Sequence, residues 1–224
     1  MSKIVHPFAH RLGILRDWRH RWFAEGAKYQ EYLKADILLR EFLQKDLRTM
    51  HIGGIELERN EKTLRVVIKT SRPGLIIGRS GEGSVKLRQK ISAFLTKRGL
   101  AVPPDIKLDI EEIRSPESNA AIVAYMVAEG LEKRMPFRRV LKQTIEKVMA
   151  NRDVKGVRIA LGGMLGGGSM ARTEELKKGR IPLQTFRSDI DYARERANLP
   201  LGVIGIKVWI YRGEVFADDA RKDK

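Results

Sequence analysis

Apolar and polar positions alternate along this chain with two distinct periods. From Tyr29 to Leu47, the residues Leu33, Ile37, Leu38, Phe42 and Leu43 recur at helical spacing, and the run ends in basic Arg48. Ile55 and Leu57 then alternate with Glu56 and Glu58, and Leu64, Val66 and Ile68 alternate with Arg65 and Lys69. That period of two predicts a pair of strands joined by a polar turn at Arg59-Asn60-Glu61-Lys62. A glycine-bounded turn follows, and a basic helical run begins near Val85. After a break from Gly99 to Pro104, Ile106, Leu108 and Ile110 alternate with Lys107, Asp109 and Glu111 as a further strand.

A new unit starts at Ser115-Pro116-Glu117, where Ser115 can cap a helix and Pro116 suits its first turn. Residues 117–134 read as a largely apolar helix. Pro136 opens a second helix, with Phe137, Val140, Leu141, Ile145 and Val148 as its buried stripe. Val157 to Leu161 predicts a strand, Ile181 to Phe186 a second and Gly202 to Val215 a long third. The run Gly162 to Ser169 is too rich in glycine for a strand interior and predicts a turn. Two helices on a mainly antiparallel sheet make this half α+β.

The turn in the first half carries candidate chemistry. Leu75 to Gly83 reads Leu-Ile-Ile-Gly-Arg-Ser-Gly-Glu-Gly, which places Gly78-Arg79-Ser80-Gly81 ahead of a basic helix. Glycines let a backbone approach a phosphate closely, and amides at a helix start point toward that anion. Arg79 and Lys86 add positive charge there. A P-loop does not fit: Gly74 to Ser80 is one residue short, with Arg79 in place of lysine. Gly78, Gly81 and Gly83 run in the reverse order of a dinucleotide fingerprint. Gly-x-x-Gly is the turn with which KH domains clamp single-stranded nucleic acid. The order helix, strand, strand, Gly-x-x-Gly turn, helix, strand resembles the type II KH arrangement (helix-strand-strand-helix-helix-strand). The predicted organisation is an arm over 1–27, a type II KH domain over 28–114, an α+β domain over 115–216 and a short charged tail over 217–224.

Charge narrows the partner. Lys and Arg total 44 against 28 Asp and Glu, a formal net charge of +16. Such an excess points to a polyanion. The cations cluster: residues 65–98 hold nine of them against Glu82 alone, and residues 133–158 hold nine against Glu146 and Asp153. Arg138, Arg139 and Lys142 fall within one arc of the second helix of the C-terminal half, beside its apolar stripe. No apolar run approaches the roughly 18 residues of a membrane span, so no membrane partner is expected. With no cysteine there is neither a disulfide nor a thiolate metal site, and His6, His10, His20 and His51 have no metal-site spacing. No cofactor, metal or catalytic residue is expected. The plain reading is a cytosolic protein bound to nucleic acid.

Short motifs in joint order make the chain similar to bacterial protein three of the small ribosomal subunit. They include Val5-His6-Pro7, Arg11-Leu12-Gly13-Ile14, Trp18 and Trp22-Phe23-Ala24. Arg72-Pro73-Gly74 and Ile77 to Glu82 follow, then Phe137-Arg138-Arg139, Leu165-Gly166-Gly167 and Ala171 to Glu174. Asp189-Ile190-Asp191-Tyr192 and Gly202 to Ile210 complete the set. The resemblance implies a structural protein of the subunit head, in the cytoplasmic ribosome, that binds small-subunit rRNA and contacts neighbouring ribosomal proteins. It implies RNA contacts at Arg72, Gly78, Arg79, Ser80, Gly81, Lys86 and Arg172. It also implies that Arg138, Arg139 and Lys142 line the channel by which mRNA enters and help to open structured mRNA. The chain departs from that pattern at Met164, where arginine is usual, and at Ser169, where glutamate is usual. It departs again at Arg79-Ser80, where Lys-Lys is common, and at Gln184, where histidine is usual. A basic C-terminal extension is nearly absent, with Arg221-Lys222-Asp223-Lys224 in its place.

Two other functions compete. A free KH-type RNA chaperone predicts a solvated N-terminal arm, whereas Trp18, Trp22 and Phe23 read as packing residues for an assembly. An enzyme acting on nucleic acid needs acidic metal ligands or a nucleophile–base set. The carboxylate pairs Glu111/Glu112, Asp189/Asp191 and Asp218/Asp219 read better as surface or capping groups.

Overall fold

The structure is a computed structural model and describes residues 5–60, 62–200 and 202–216. In chain order its elements are α1 (Pro7–His10), β1 (His20–Arg21), α2 (Gly26–Asp46), β2 (Ile52–Arg59), β3 (Thr63–Thr70), α3 (Pro73–Ile77), α4 (Glu82–Lys97) and β4 (Asp105–Glu112). They continue with α5 (Ala120–Glu132), α6 (Phe137–Met149), β5 (Gly156–Gly163), β6 (Arg172–Gly179), β7 (Ser188–Leu199) and β8 (Gly202–Glu214). Trp18–Arg114 forms one compact unit, and the segment up to Asp17 joins the segment from Ser115 onward in the other. The charged tail assigned to 217–224, with Asp218 and Asp219, lies outside the described residues.

In the Trp18–Arg114 unit, β2 pairs antiparallel with β3, and β3 pairs parallel with β4. The short β1 adds to the edge of β2, giving the order β1-β2-β3-β4. This is the expected helix-strand-strand-helix-helix-strand arrangement. Leu57, Leu64, Val66 and Ile68 project from the sheet into a core with Leu39 and Leu43 of α2 and Leu87, Ile91 and Leu95 of α4. The core stripe of α2 is therefore Leu39, Leu43 and the following Leu47, while Leu33 and Ile37, apolar and at helical spacing, lie exposed with Tyr29. Arg59 also departs from expectation. It closes β2 as a buried residue, not a turn position, and its Nη2 donates to Asp36 Oδ1 at 2.6 Å. Its guanidinium lies 4.6 Å over the Tyr32 ring.

In the other unit, the sheet order is β6-β5-β8-β7 and every pairing is antiparallel. Helices α5 and α6 cover one face, packing Val123, Val127, Val140, Leu141 and Ile145 on Val157, Ile159, Ile206 and Val208. Helix α5 starts later than its apolar pattern suggests. Asn119, not Ser115, caps it, accepting from Ala121 N at 3.0 Å and Ile122 N at 3.3 Å. Asp191 Oδ2 accepts from Ala120 N at 2.9 Å, so this carboxylate serves as a second cap.

The sheet has four strands where three were expected. Ile181 to Phe186 is not a strand, because its carbonyls turn toward a buried cation. Arg11 is fully buried, and its Nη2 donates to Leu183 O and Thr185 O, each at 2.9 Å. Its Nε donates to Ser188 O at 2.6 Å. The ladder places go instead to β6 and β7. Strand β6 is an almost wholly exposed edge and so has no apolar alternation to read. In β7 the core positions include small residues, Ala193 and Ala197, which leave a weak pattern.

Candidate nucleic-acid interface

Helix α3 begins at Pro73 and stops at Gly78, whose φ of 69° no longer suits a helix. The chain then passes through Arg79, through Ser80 in the left-handed region (φ 53°) and through Gly81 (φ 82°) before α4 begins. Left-handed backbone costs a residue with a Cβ, so Ser80 is held there by its surroundings. No side chain caps α4; the Glu82 N–H donates to Arg79 O within the turn, and the next first-turn amides have no intrahelical partner. Orphan amides and the positive helix end together suit an anion. Arg79 is exposed beside them. Lys86 turns back to Glu82 at 3.1 Å, but both side chains are mostly exposed and such pairs are weak. Arg72 immediately precedes α3, with its backbone N–H donating to Thr70 Oγ1 at 3.1 Å.

Gly83 was not among the expected site residues, yet it sets the geometry of the turn. A Cβ there would lie 2.4 Å from Ile76 O and 2.8 Å from Ile77 O. Only glycine lets α4 pass so close to the carbonyl end of α3. Leu75, Ile77 and Val85 are exposed around this turn and offer aliphatic surface to a base. The signal for Gly83 was present, as a third glycine two residues past Gly81. The exposure of Leu75 and Ile77 was not visible without the fold, since Ile76 between them is buried.

The second group of candidates is on α6. Val140, Leu141, Ile145 and Val148 are buried, and Arg138, Arg139 and Lys142 are exposed on the arc beside them. Arg172 lies in this unit, at the start of β6, apart in the chain from the KH turn with which it was grouped. Glu174 holds Arg138 at 3.5 Å and Arg172 at 3.4 Å. The guanidinium groups of Arg138 and Arg172 lie 5.6 Å and 5.7 Å from the Phe137 ring. Arg139 and Lys142 form no ion pair among the described residues and present uncompensated charge. Sequence reasoning missed Glu174, because only β5–β6 pairing brings it under α6. A cavity of about 590 Å³ opens beside Phe137, lined by Met135, Pro136 and Met164 among others.

No group of three or more potential metal ligands occurs among the described residues. Among them no helix is long and apolar enough to cross a membrane. The arrangement offers two sets of exposed cations and helix-end amides, which is chemistry for holding a phosphate backbone.

Comparison with known proteins agrees with this. Residues 38–118 match the KH domain family, and residues 127–210 match the family described as ribosomal protein S3, C-terminal domain. The small ribosomal subunit protein uS3 of Pseudomonas fluorescens (strain Pf0-1) is 45% identical over 215 residues, covering 96% of this chain and 91% of the relative. The uS3 proteins of Pseudomonas syringae pv. tomato and Stutzerimonas stutzeri share the same identity and coverage. These relatives are ribosomal proteins rather than enzymes. With both halves matched and the relatives aligned almost end to end, the chain belongs to the family of small ribosomal subunit protein uS3.

Proposed function

We propose that this protein binds small-subunit rRNA in the head of the cytoplasmic ribosome and lines the channel by which mRNA enters. The KH turn, with Arg72, Gly78, Arg79, Ser80, Gly81 and Lys86, meets an RNA backbone through amides and cations. Arg138, Arg139 and Lys142 face the incoming mRNA, with Arg172 beside them, and compete for phosphates that a hairpin stem keeps together. Neighbouring ribosomal proteins cover exposed aromatic surface in the arm, where Trp18 is 63% and Phe23 83% exposed.

The observation that carries this reading is the face of α6. Three exposed cations sit on a helix whose other face is fully buried, and two of them have no ion pair among the described residues. Truncating them should change stability by no more than about 0.5 kcal/mol, as for most exposed substitutions. Losing three phosphate contacts should flatten the salt slope of single-strand binding by roughly two units, at about 0.7 per contact. Ribosomes carrying Arg138→Ala, Arg139→Ala and Lys142→Ala are expected to assemble and to translate unstructured templates normally, but to stall at stable hairpins. Translation rates on matched templates with and without a hairpin measure this. Equal slowing on both, or failed subunit assembly, would assign these cations to rRNA instead.

A further inference from the structure

The sheet of the C-terminal unit has a second face, opposite α5 and α6. Part of it is covered: Ile181 and Leu183 pack there on Trp209 and Tyr211. The remainder forms an open groove of about 570 Å³ that includes Tyr192, Arg194, Gly162, Gly205 and Lys207. Three features set this groove apart from the rest of the sheet.

First, Arg194 and Lys207 are directly opposed across β7 and β8. Both are exposed, and neither forms an ion pair among the described residues. Like charges in register destabilise a sheet unless an anion lies between them. Second, Gly162 and Gly205 oppose each other across β5 and β8, two residues along β8 from Lys207 and on the same face. Neither adopts a positive φ, and an added Cβ would meet only ordinary contacts, at 3.6 Å and 3.7 Å. Local geometry therefore does not require glycine at either place. Two facing glycines in strand interiors weaken the strands and leave bare backbone, which is the mark of a surface approached closely. Third, an aromatic pair borders the cations: Tyr192 and Trp209 lie 5.3 Å apart between centroids, and the Tyr192 ring is also met edge-on by His6. The one acid in the groove, Glu175, is already engaged by Arg158.

From these three features we infer that the open face of this sheet binds an unpaired RNA segment. Its phosphodiester backbone lies over the Gly162–Gly205 floor alongside the opposed Arg194 and Lys207, and a base or ribose rests toward Tyr192. Aromatic faces beside a cationic track suit single strands. The site shares no residue with the KH turn or with the cations of α6. The same chemistry serves rRNA or mRNA.

The test uses the full chain and a short unstructured RNA. Arg194→Ala with Lys207→Ala should lower the salt slope of binding by about 1.4, two contacts at about 0.7 each. Lys147→Ala with Arg152→Ala removes equal charge elsewhere and should leave the slope unchanged. Gly205→Leu should weaken binding about tenfold without changing net charge or thermal midpoint. Should Gly205→Leu fail to fold, the charge pair decides alone. In assembled subunits, 4-thiouridine placed in rRNA or in mRNA should crosslink to the peptide containing Tyr192, and the strand that does so names the source. Unchanged slope in the Arg194/Lys207 variant, or no crosslink to that peptide from either rRNA or mRNA, overturns the inference.

Discussion

Gly74 and Gly83 flank the KH turn, and replacing each by alanine should have opposite effects. At Gly83 the added methyl would sit 2.4 Å from Ile76 O and 2.8 Å from Ile77 O. An ordinary carbon–oxygen contact is about 3.3 Å or more, so α3 and α4 must separate by roughly 0.9 Å. Overpacking of this kind costs about 1–3 kcal/mol, and alanine recovers at most about 1 kcal/mol through helix propensity. Because the clash is with backbone carbonyls, which cannot swing aside, the cost falls in the upper part of that range and the net is a loss of about 1–2 kcal/mol. At Gly74 an added Cβ meets nothing within 4 Å and the backbone is not left-handed, so Gly74→Ala should be neutral or gain about 0.5 kcal/mol. The assay follows from where the tryptophans fall. A Trp209→Phe background leaves Trp18 and Trp22, both in the Trp18–Arg114 unit, as reporters of urea unfolding. The Gly83→Ala midpoint should fall by about 1 M, given a slope of 1–2 kcal/mol/M for a unit of this size. RNA affinity should fall with it, since separating the helices displaces Gly78 to Gly81. A Gly83→Ala midpoint equal to or above that of Gly74→Ala would refute the close helix approach.

Two further predictions concern buried charge in the same unit. Asp36→Ala strands the Arg59 guanidinium, which is only 3% exposed, and should cost about 3–5 kcal/mol, whereas Asp36→Leu with Arg59→Met should recover most of that in urea unfolding; equal losses in both variants would show that the ion pair is not what matters. The pKa of His20 is held below its usual 6.5, first by burial and then by repulsion from Arg40. As pH falls through 6.5 the unfolded chain takes up the proton before the native one does, so stability declines below that pH. His20→Gln should flatten this decline, and an unaltered pH profile would count against the assignment.

The KH half was legible because its signals are local. Leu64, Val66 and Ile68 alternate on a strand with one face buried, and Gly78 and Gly81 mark a turn that few other residues can make. Net charge and the paired cation clusters pointed to RNA for the same reason, since charge is additive along a chain. The exposed arc of α6 that carries Arg138, Arg139 and Lys142 could be read because a helix converts spacing directly into a face.

Other features depended on partners distant in sequence. Ile181 to Phe186 has the composition of a strand, but Arg11, more than 170 residues away, draws its carbonyls out of the ladder. Edge strand β6 shows no alternation because neither of its faces is well buried, and it exists through pairing with β5. Arg59 looked like a turn residue until Asp36, 23 positions earlier, was found beside it. Arg194 and Lys207 were unremarkable cations until the β7–β8 register set them opposite each other beside the paired glycines Gly162 and Gly205. Periodicity reports which face of an element avoids water; it carries no information about which distant element supplies the cover, the counter-charge or the facing strand.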